Sequence, residues 1–422
     1  MNNKLNIAAW CLYDWACASF PIIVTTFIFS TYFISHIAVN SVIGTSQWAN
    51  ATAIAGIFIA VSSPLFGAIA DYSGYHKRWL LFFTSLSVIC CALLWFAYPN
   101  LSSLQFTLII FILGTISTEI AYVFYNAFLP HLVKNDYIGR VSGWGWGSGY
   151  LGGIVSLTVV FLVFVKSAPT WLNTANFEQI RICGPFAALW FAVFSIPLFL
   201  FVPESTAPQK KILPAIRLGY HEFITTLRSL PQQKNILLYL IAHMVYTDGL
   251  NTLFAFGGIY AAGTFHFAFA ELLIFAISMN FFAGLGAIGL AWVDDWIGSK
   301  PTILISLASA IVLGIPLVLS TNKFWFWGFA LLFGLFVGPT QAASRSLMAR
   351  ITNPEKSTEM FGLYALSGKI TAFIGPWILG MVTLHFQSQR AGIATILLFF
   401  LVGGVLLMFV RGSEESGNKI ES

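Results

Sequence analysis

Long apolar runs separated by short polar connections dominate the chain. Twelve can be marked, at about 7–35, 48–70, 79–98, 104–128, 141–165, 182–202, 236–262, 270–293, 301–320, 324–345, 359–385 and 391–410. Each is close to the ~20 residues a helix needs to cross a hydrocarbon core ~30 Å thick. A barrel strand needs only about half that length, and a helix satisfies its own backbone in lipid. The pattern therefore predicts an all-α polytopic membrane protein with 12 transmembrane helices. Most connections are very short; the exception is the polar stretch 203–235, which begins Pro203-Glu204 and separates two sets of six. The expected organisation is an N-terminal six-helix bundle over 1–202, a central loop over 203–235, a C-terminal six-helix bundle over 236–410 and a tail over 411–422.

Composition narrows the class further. Of 422 residues, 58% are hydrophobic and only 9% charged, too few charges to cover a soluble protein of this size. The 41 Phe, 14 Trp and 14 Tyr exclude disorder. The five cysteines lie in apolar stretches without C-x-x-C spacing, which excludes a disulfide scaffold. The first run carries Asp14 and lacks a small-x-small site near its end, so it does not read as a cleavable signal peptide. The net charge of +5 does not point to nucleic acid, because of where the charges fall. With the N-terminus in the cytoplasm, sixteen of the 21 Lys and Arg fall inside, Arg345 among them; Lys166, Arg181, Lys323 and Arg390 fall outside, and Lys369 lies within a run. That bias places both termini and the central loop in the cytoplasm.

The two sets of six resemble each other. Gly67…Asp71…Gly74…Lys77-Arg78 follows the second run, and Ala291…Asp295…Gly298…Lys300 follows the eighth. Tyr13-Asp14 in the first run matches Tyr246-Thr-Asp248 in the seventh; Thr118-Glu119 in the fourth matches Thr340-Gln341 in the tenth. Gly143 and Ser148-Gly149-Tyr150 in the fifth match Gly362 and Ser367-Gly368-Lys369 in the eleventh. Four matches in the same order indicate a duplication. Duplicated helical halves are a transporter signature, with the site between them near the midplane.

The motif Gly67…Asp71…Gly74…Lys77-Arg78 resembles the loop motif of the major facilitator superfamily, whose architecture also has six plus six helices and a long central loop. Within it, several stretches resemble the unknown-major-facilitator branch that includes autophagy-related vacuolar amino-acid effluxers. They are Tyr13-Asp14-Trp15-Ala16, Tyr125-Asn126-Ala127-Phe128-Leu129-Pro130, the stretch from Arg140 through Gly143 to Gly145-Trp146, Asp248-Gly249, Gln341-Ala-Ala-Ser344-Arg345-Ser346, and Phe361 through Ser367-Gly368-Lys369. The resemblance implies the major facilitator fold and export of amino acids or similar small metabolites. The second loop motif departs from the family pattern, with Ala291 in place of Gly and Lys300 as its base.

Four charges lie well inside runs: Asp14, Glu119, Asp248 and Lys369. Each costs upwards of ~2.5 kcal/mol at the bilayer centre, so each needs a partner or an aqueous cavity. Three acids and one base leave a surplus of carboxylates, one of which could hold a proton. These four form the candidate substrate and proton site, with Tyr13, Tyr150, Asn126 and Gln341 as neutral hydrogen-bonding groups. A structural ion pair, Lys369 with one acid, is the competing reading. Asp71, Gly74, Lys77, Arg78, Asp295 and Arg345 form the candidate gating set. A carboxylate at the end of the second helix can pair with a basic residue or a helix N-terminus, latching the halves in one state; an ordinary turn is the alternative. His243 could relay protons, although a hydrogen-bonded packing role is the commoner one for a lone membrane histidine.

Other signals carry less. Gly147-Ser-Gly149-Tyr-Leu-Gly152 matches a dinucleotide motif but follows no strand. Gly145, Gly149 and Gly153 instead form one smooth helix face suited to a close crossing. Gly338-Pro339 and Gly375-Pro376 predict kinks. No Walker motif, metal-ligand spacing or nucleophile–base arrangement is present in the sequence, so no cofactor, metal or enzymatic activity is expected. The expected function is secondary transport of a small polar solute, an amino acid or related metabolite, by alternating access with proton coupling and with efflux favoured. Export of an amphipathic drug or metal chelator, and a non-transporting sensor, are the alternatives. The expected partners are the solute, membrane lipids and protons, not nucleic acid, for a monomer in a bacterial inner membrane.

Overall fold

The computed structural model describes residues 3–204 and 212–411. Lys210, Lys211 and Lys419, and the tail beyond Arg411, lie outside the described residues. Twelve membrane-crossing helical spans alternate in direction. Span 1 is Lys4–Ile37, span 2 Ser41–Ser73, span 3 His76–Phe96, span 4 Leu101–Leu132, span 5 Asn135–Lys166 and span 6 Glu178–Phe201. Span 7 is Lys234–Phe265. Span 8 is Glu271–Ile297, span 9 Ser299–Leu319, span 10 Lys323–Ile351, span 11 Pro354–Phe386 and span 12 Gln389–Met408. All but span 7 are long and apolar enough to cross a membrane by composition alone. Span 7 carries buried Tyr239, His243, Tyr246 and Asp248, which its neighbours shield from lipid. The end of the bundle that holds Lys4, the central segment and Arg411 is called proximal below, the opposite end distal.

The central loop is not irregular throughout: Ile212–Ser229 form a helix of 18 residues. Other boundaries move outward from the apolar runs. Span 10 continues to Ile351, past Arg345, because nothing breaks the helix until Thr352-Asn353-Pro354. Arg345 is therefore a residue of the membrane interior and not of a proximal loop. Removing it from the inside count of sixteen leaves fifteen, against four.

Among the described residues, spans 1, 5 and 11 depart from regular α-helix in ways that bear on the interior. Span 1 changes after Cys17 into π-helical turns over Phe20–Phe27 and Phe33–Ile37, beginning at Pro21, which has no N–H to donate. Span 5 ends in π-helical turns over Phe161–Lys166. Span 11 is discontinuous, with α-helix over Ser357–Lys369 and Ile374–Phe386. Between them Ala372 N–H bonds Lys369 O at 3.2 Å and Ile374 N–H bonds Thr371 O at 2.7 Å. The break lies just before Gly375-Pro376, where the proline ring would clash with the carbonyl four residues earlier. Gly338-Pro339, by contrast, sits inside an uninterrupted span 10.

The duplication is visible in the seam between the halves. Gly67 of span 2 lies against Thr358 of span 11, and Gly362 of span 11 against Ser63 and Pro64 of span 2. At the corresponding place, Gly143 of span 5 lies against Ala287 and Ala291 of span 8. Small residues let these backbones approach closely. Gly145, Gly149 and Gly153 form the expected face, receiving Asp14 and Ile22 of span 1.

Candidate functional site

Two buried latches close the proximal end. Asp71, at the end of span 2, accepts the N–H groups of Thr358 (3.2 Å) and Glu359 (2.8 Å), the first turn of span 11's helix. His76 Nε2 stands 2.8 Å from the same carboxylate. Asp295, its counterpart in span 8, accepts the N–H groups of Gly139 (2.7 Å) and Arg140 (3.1 Å), the first turn of span 5. A carboxylate on the N-terminus of a helix meets unpaired N–H donors and the positive end of the dipole. Arg140 Nε (2.8 Å) and Arg350 Nη2 (2.9 Å) also reach Asp295. Arg350 further bonds Asp294 at 2.7 Å. The bases of the second latch are thus Arg140 and Arg350; Lys300 caps Met408 O at 2.9 Å instead.

The remaining gating candidates are placed differently. Gly74 ends span 2 with φ of 72°, a left-handed turn suited to glycine. Lys77 stays within its own half, its Nζ donating to Val202 O at 2.6 Å. Arg78 lies over the Tyr75 ring at 4.4 Å. Among the described residues, neither makes a hydrogen bond or ion pair across the seam. Arg345 is not part of a proximal latch. It is 1% exposed and pairs across the halves with Asp14 at 3.0 Å. Its guanidinium also donates to Asn126 Oδ1 (3.1 Å), Tyr122 Oη (3.3 Å), Ser142 Oγ (2.9 Å) and Ser142 O (2.6 Å). Tyr125 donates to Asp14 at 2.8 Å, and the Trp10 ring lies 4.8 Å from the guanidinium.

Lys369 and Glu119 meet across the halves at 2.7 Å, each side chain 33% exposed. Lys369 ends the first helix of span 11, where a cation complements the dipole. Elsewhere on the seam, Tyr150 donates to Gln341 across the halves. Asn251 donates to Gly368 O at 3.1 Å, tying span 7 to the break. Asp248 is 3% exposed and faces the Thr371 hydroxyl on the break itself, although neither its Oδ1 nor that hydroxyl completes a well-formed hydrogen bond. Tyr13 is withdrawn from this region, bonding Thr84 within its own half at 2.7 Å. His243 bonds Ser367 at 2.7 Å and stacks on Tyr364 at 4.0 Å, a packing role.

The eight substrate-site candidates therefore separate. Glu119 with Lys369, and Tyr150 with Gln341, form two pairs across the halves, with Asp248 behind the break. Asp14 and Asn126 belong to the Arg345 network, and Tyr13 borders it, stacking on Tyr125 at 4.9 Å. The charge balance changes accordingly. Arg345 joins the four charges expected in the membrane; of these five, it pairs with Asp14, Lys369 pairs with Glu119, and Asp248 is left without a basic partner. Among the described residues, every hydrogen bond joining the halves lies between the proximal end and the level of Glu119 and Lys369. Toward the distal end, the halves meet through mainly apolar side chains such as Ile154, Leu157, Leu273 and Ile277.

The latches make a prediction. Asp71→Ala with Asp295→Ala removes four hydrogen bonds from carboxylates to backbone donors. Charged hydrogen bonds contribute ~1.5 kcal/mol or more each, so the population open at the proximal end is expected to rise at least roughly tenfold. Distances between spin labels on spans 2 and 11, measured by double electron–electron resonance, would report this. Unchanged distributions in a folded variant would make the carboxylates simple helix caps.

A family profile described as "Vacuole effluxer Atg22 like" matches residues 33–418. The chain is 26% identical over 409 residues to "Uncharacterized MFS-type transporter YxiO" of Bacillus subtilis, covering 95% of this chain and 94% of that protein. It is 23% identical over 449 residues to "Autophagy-related protein 22-1" of Phaeosphaeria nodorum, covering 89% and 78%. In structure it resembles the human organic anion transporter MFSD10 (TETRAN), with a TM-score of 0.73, 14% identity, and coverage of 96% and 100%.

Proposed function

The chain belongs to the Atg22-like vacuole effluxer family of the major facilitator superfamily, and from that premise we propose that it transports zwitterionic solutes of the amino-acid class. It is a multi-pass membrane transporter, not an enzyme. The observation that carries the proposal is the Lys369–Glu119 pair, each side chain one-third exposed, joining the two halves at the break in span 11. A zwitterion entering between these groups gives its carboxylate to Lys369 and its ammonium to Glu119. Each protein charge then keeps a partner. A simple anion or cation satisfies only one of them and leaves the other uncompensated in a medium of low dielectric. Because the two residues belong to different halves, the ligand couples directly to their relative movement. Broken helices near the midplane serve this purpose in other transporter folds.

Asp248 is the carboxylate for the coupling proton. It has no basic partner, and a buried carboxyl without one is neutral or awaits a cation. Alternating access follows from releasing the Asp71 and Asp295 latches. Efflux is favoured by the family premise. The charge bias supports a cytoplasmic proximal end, so the cytoplasmic side is the latched one in this conformation. The similarity to the Bacillus subtilis protein along nearly the whole chain supports a bacterial inner membrane.

Reconstituted vesicles loaded with radiolabelled amino acids test this reading. The wild type is expected to accumulate label against its gradient when a pH difference is imposed. Asp248→Asn is expected to keep amino-acid exchange while losing that accumulation. Accumulation unchanged in Asp248→Asn would remove Asp248 from coupling, and no exchange of any amino acid by the wild type would remove the substrate class.

A further inference from the structure

The central helix, Ile212–Ser229, has faces of distinct character. One is small: Ala215, Gly219 and Thr226 are buried. A Cβ on Gly219 would stand 2.7 Å from Ile69 Cα, so the helix lies directly on the backbone of span 2. Ile69 continues the stripe of Ile54, Phe58 and Val61, which are 44%, 59% and 63% exposed and face lipid. Ile69 itself is only 4% exposed, because the central helix covers it. The helix therefore rides on the lipid-facing side of span 2. Ile69 lies four residues before the proximal end of that span, about 6 Å along its axis.

The next face is an exposed apolar stripe of Ile216, Tyr220 and Leu227. Beside it runs an exposed basic row of Arg217, His221 and Arg228. Neither arginine has an ion pair with any described residue. Around the helix the order is protein-facing, apolar, basic, then a flank carrying Thr225 and the exposed Leu218. With the apolar stripe turned toward the hydrocarbon, Thr225 faces water and the basic row falls at the level of the headgroups. We propose that Ile212–Ser229 is an interfacial helix that binds anionic phospholipid headgroups through Arg217 and Arg228, with Ile216, Tyr220 and Leu227 in the acyl boundary. The bilayer is the occupant because the stripe is continuous with the lipid-facing surface of span 2 and the basic row is complementary to anionic headgroups. The helix is also tied to the other half, through Glu222 and Lys356 at 2.5 Å. Lipid held here acts at the proximal seam, independently of what the transporter carries.

The full chain, reconstituted in phosphatidylcholine with or without phosphatidylglycerol, tests this. Nitroxides at Leu227→Cys and Thr225→Cys, on a background without the native cysteines, report depth. The label at 227 is expected to be relaxed by oxygen and shielded from an aqueous paramagnetic reagent, and the label at 225 to show the reverse. Phosphatidylglycerol is expected to raise the unfolding temperature of the wild type. The concentration giving half of that effect should rise roughly fivefold per arginine removed in Arg217→Gln and Arg228→Gln. Equal aqueous exposure at 225 and 227, a label at 227 shielded from both reagents as under a protein partner, or the same lipid response in the double arginine variant would each overturn the proposal.

Discussion

Arg345→Met is expected to destabilise the protein by about 3–5 kcal/mol, the largest stability loss of any single change considered. The reason is desolvation. The Arg345 and Asp14 side chains are 1% and 5% exposed, so removing the guanidinium leaves a carboxylate with neither water nor a cation. Tyr125 still donates to Asp14, but a neutral donor does not balance the charge. Asn126, Tyr122 and Ser142 lose their shared donor at the same time. Adding Asp14→Asn should recover much of the loss, because an apolar–neutral replacement of a buried pair costs far less than half a pair. The buried thiols of Cys17, Cys90, Cys91 and Cys183 offer the measurement, since a thiol-reactive fluorophore reports their exposure as the detergent-purified protein unfolds. No recovery in the double variant would mean that the other bonds of Arg345, not its charge, hold the seam.

Lys369→Met is expected to weaken amino-acid binding by roughly a hundredfold or more while changing stability by only about 1 kcal/mol. The two effects separate because of exposure. Both Lys369 and Glu119 are one-third exposed, so water compensates the unpaired Glu119 when no ligand is bound. A bound zwitterion excludes that water, and its carboxylate then has no partner. The competing view is that Lys369 merely neutralises a neighbouring acid. Its partner is Glu119, not Asp248, so the informative double variant is Lys369→Met with Glu119→Gln. Transport restored in that variant would make the pair structural. Transport lost in both, in vesicles containing folded protein, would support a ligand-contacting pair. Full transport by Lys369→Met alone would end the zwitterion site.

Much of the candidate site was legible because membrane charges are costly wherever they occur, whatever surrounds them. Glu119, Asp248 and Lys369 stood out for that reason alone. Asp71 was also legible, since the end of a membrane helix followed by Gly74 and two bases marks a turn that can receive another helix's N-terminus. Arg345 was misplaced because hydropathy drops before a helix ends: the polar Gln341, Ser344 and Arg345 looked like the edge of a run, although buried Ala342, Ala343, Leu347 and Met348 continue the helix around them. The absence of a breaker before Pro354 was the available signal. Arg350 and Asp294 were hidden the same way, inside helix ends that apolar runs do not reach.

The sequence alone determined the number of spans, their alternation and the duplication, because lipid imposes those through length and local hydrogen bonding without reference to partners. Pairing was decided only by the tertiary structure. A list of five interior charges permits several neutral combinations, and which carboxylate is left over depends on distances of a few ångströms between helices far apart in the chain. Packing of Gly145 against Asp14 and Arg345 and the break after Lys369 set those distances. They arise from contacts between helices and a local break, for which hydrophobic periodicity carries no information.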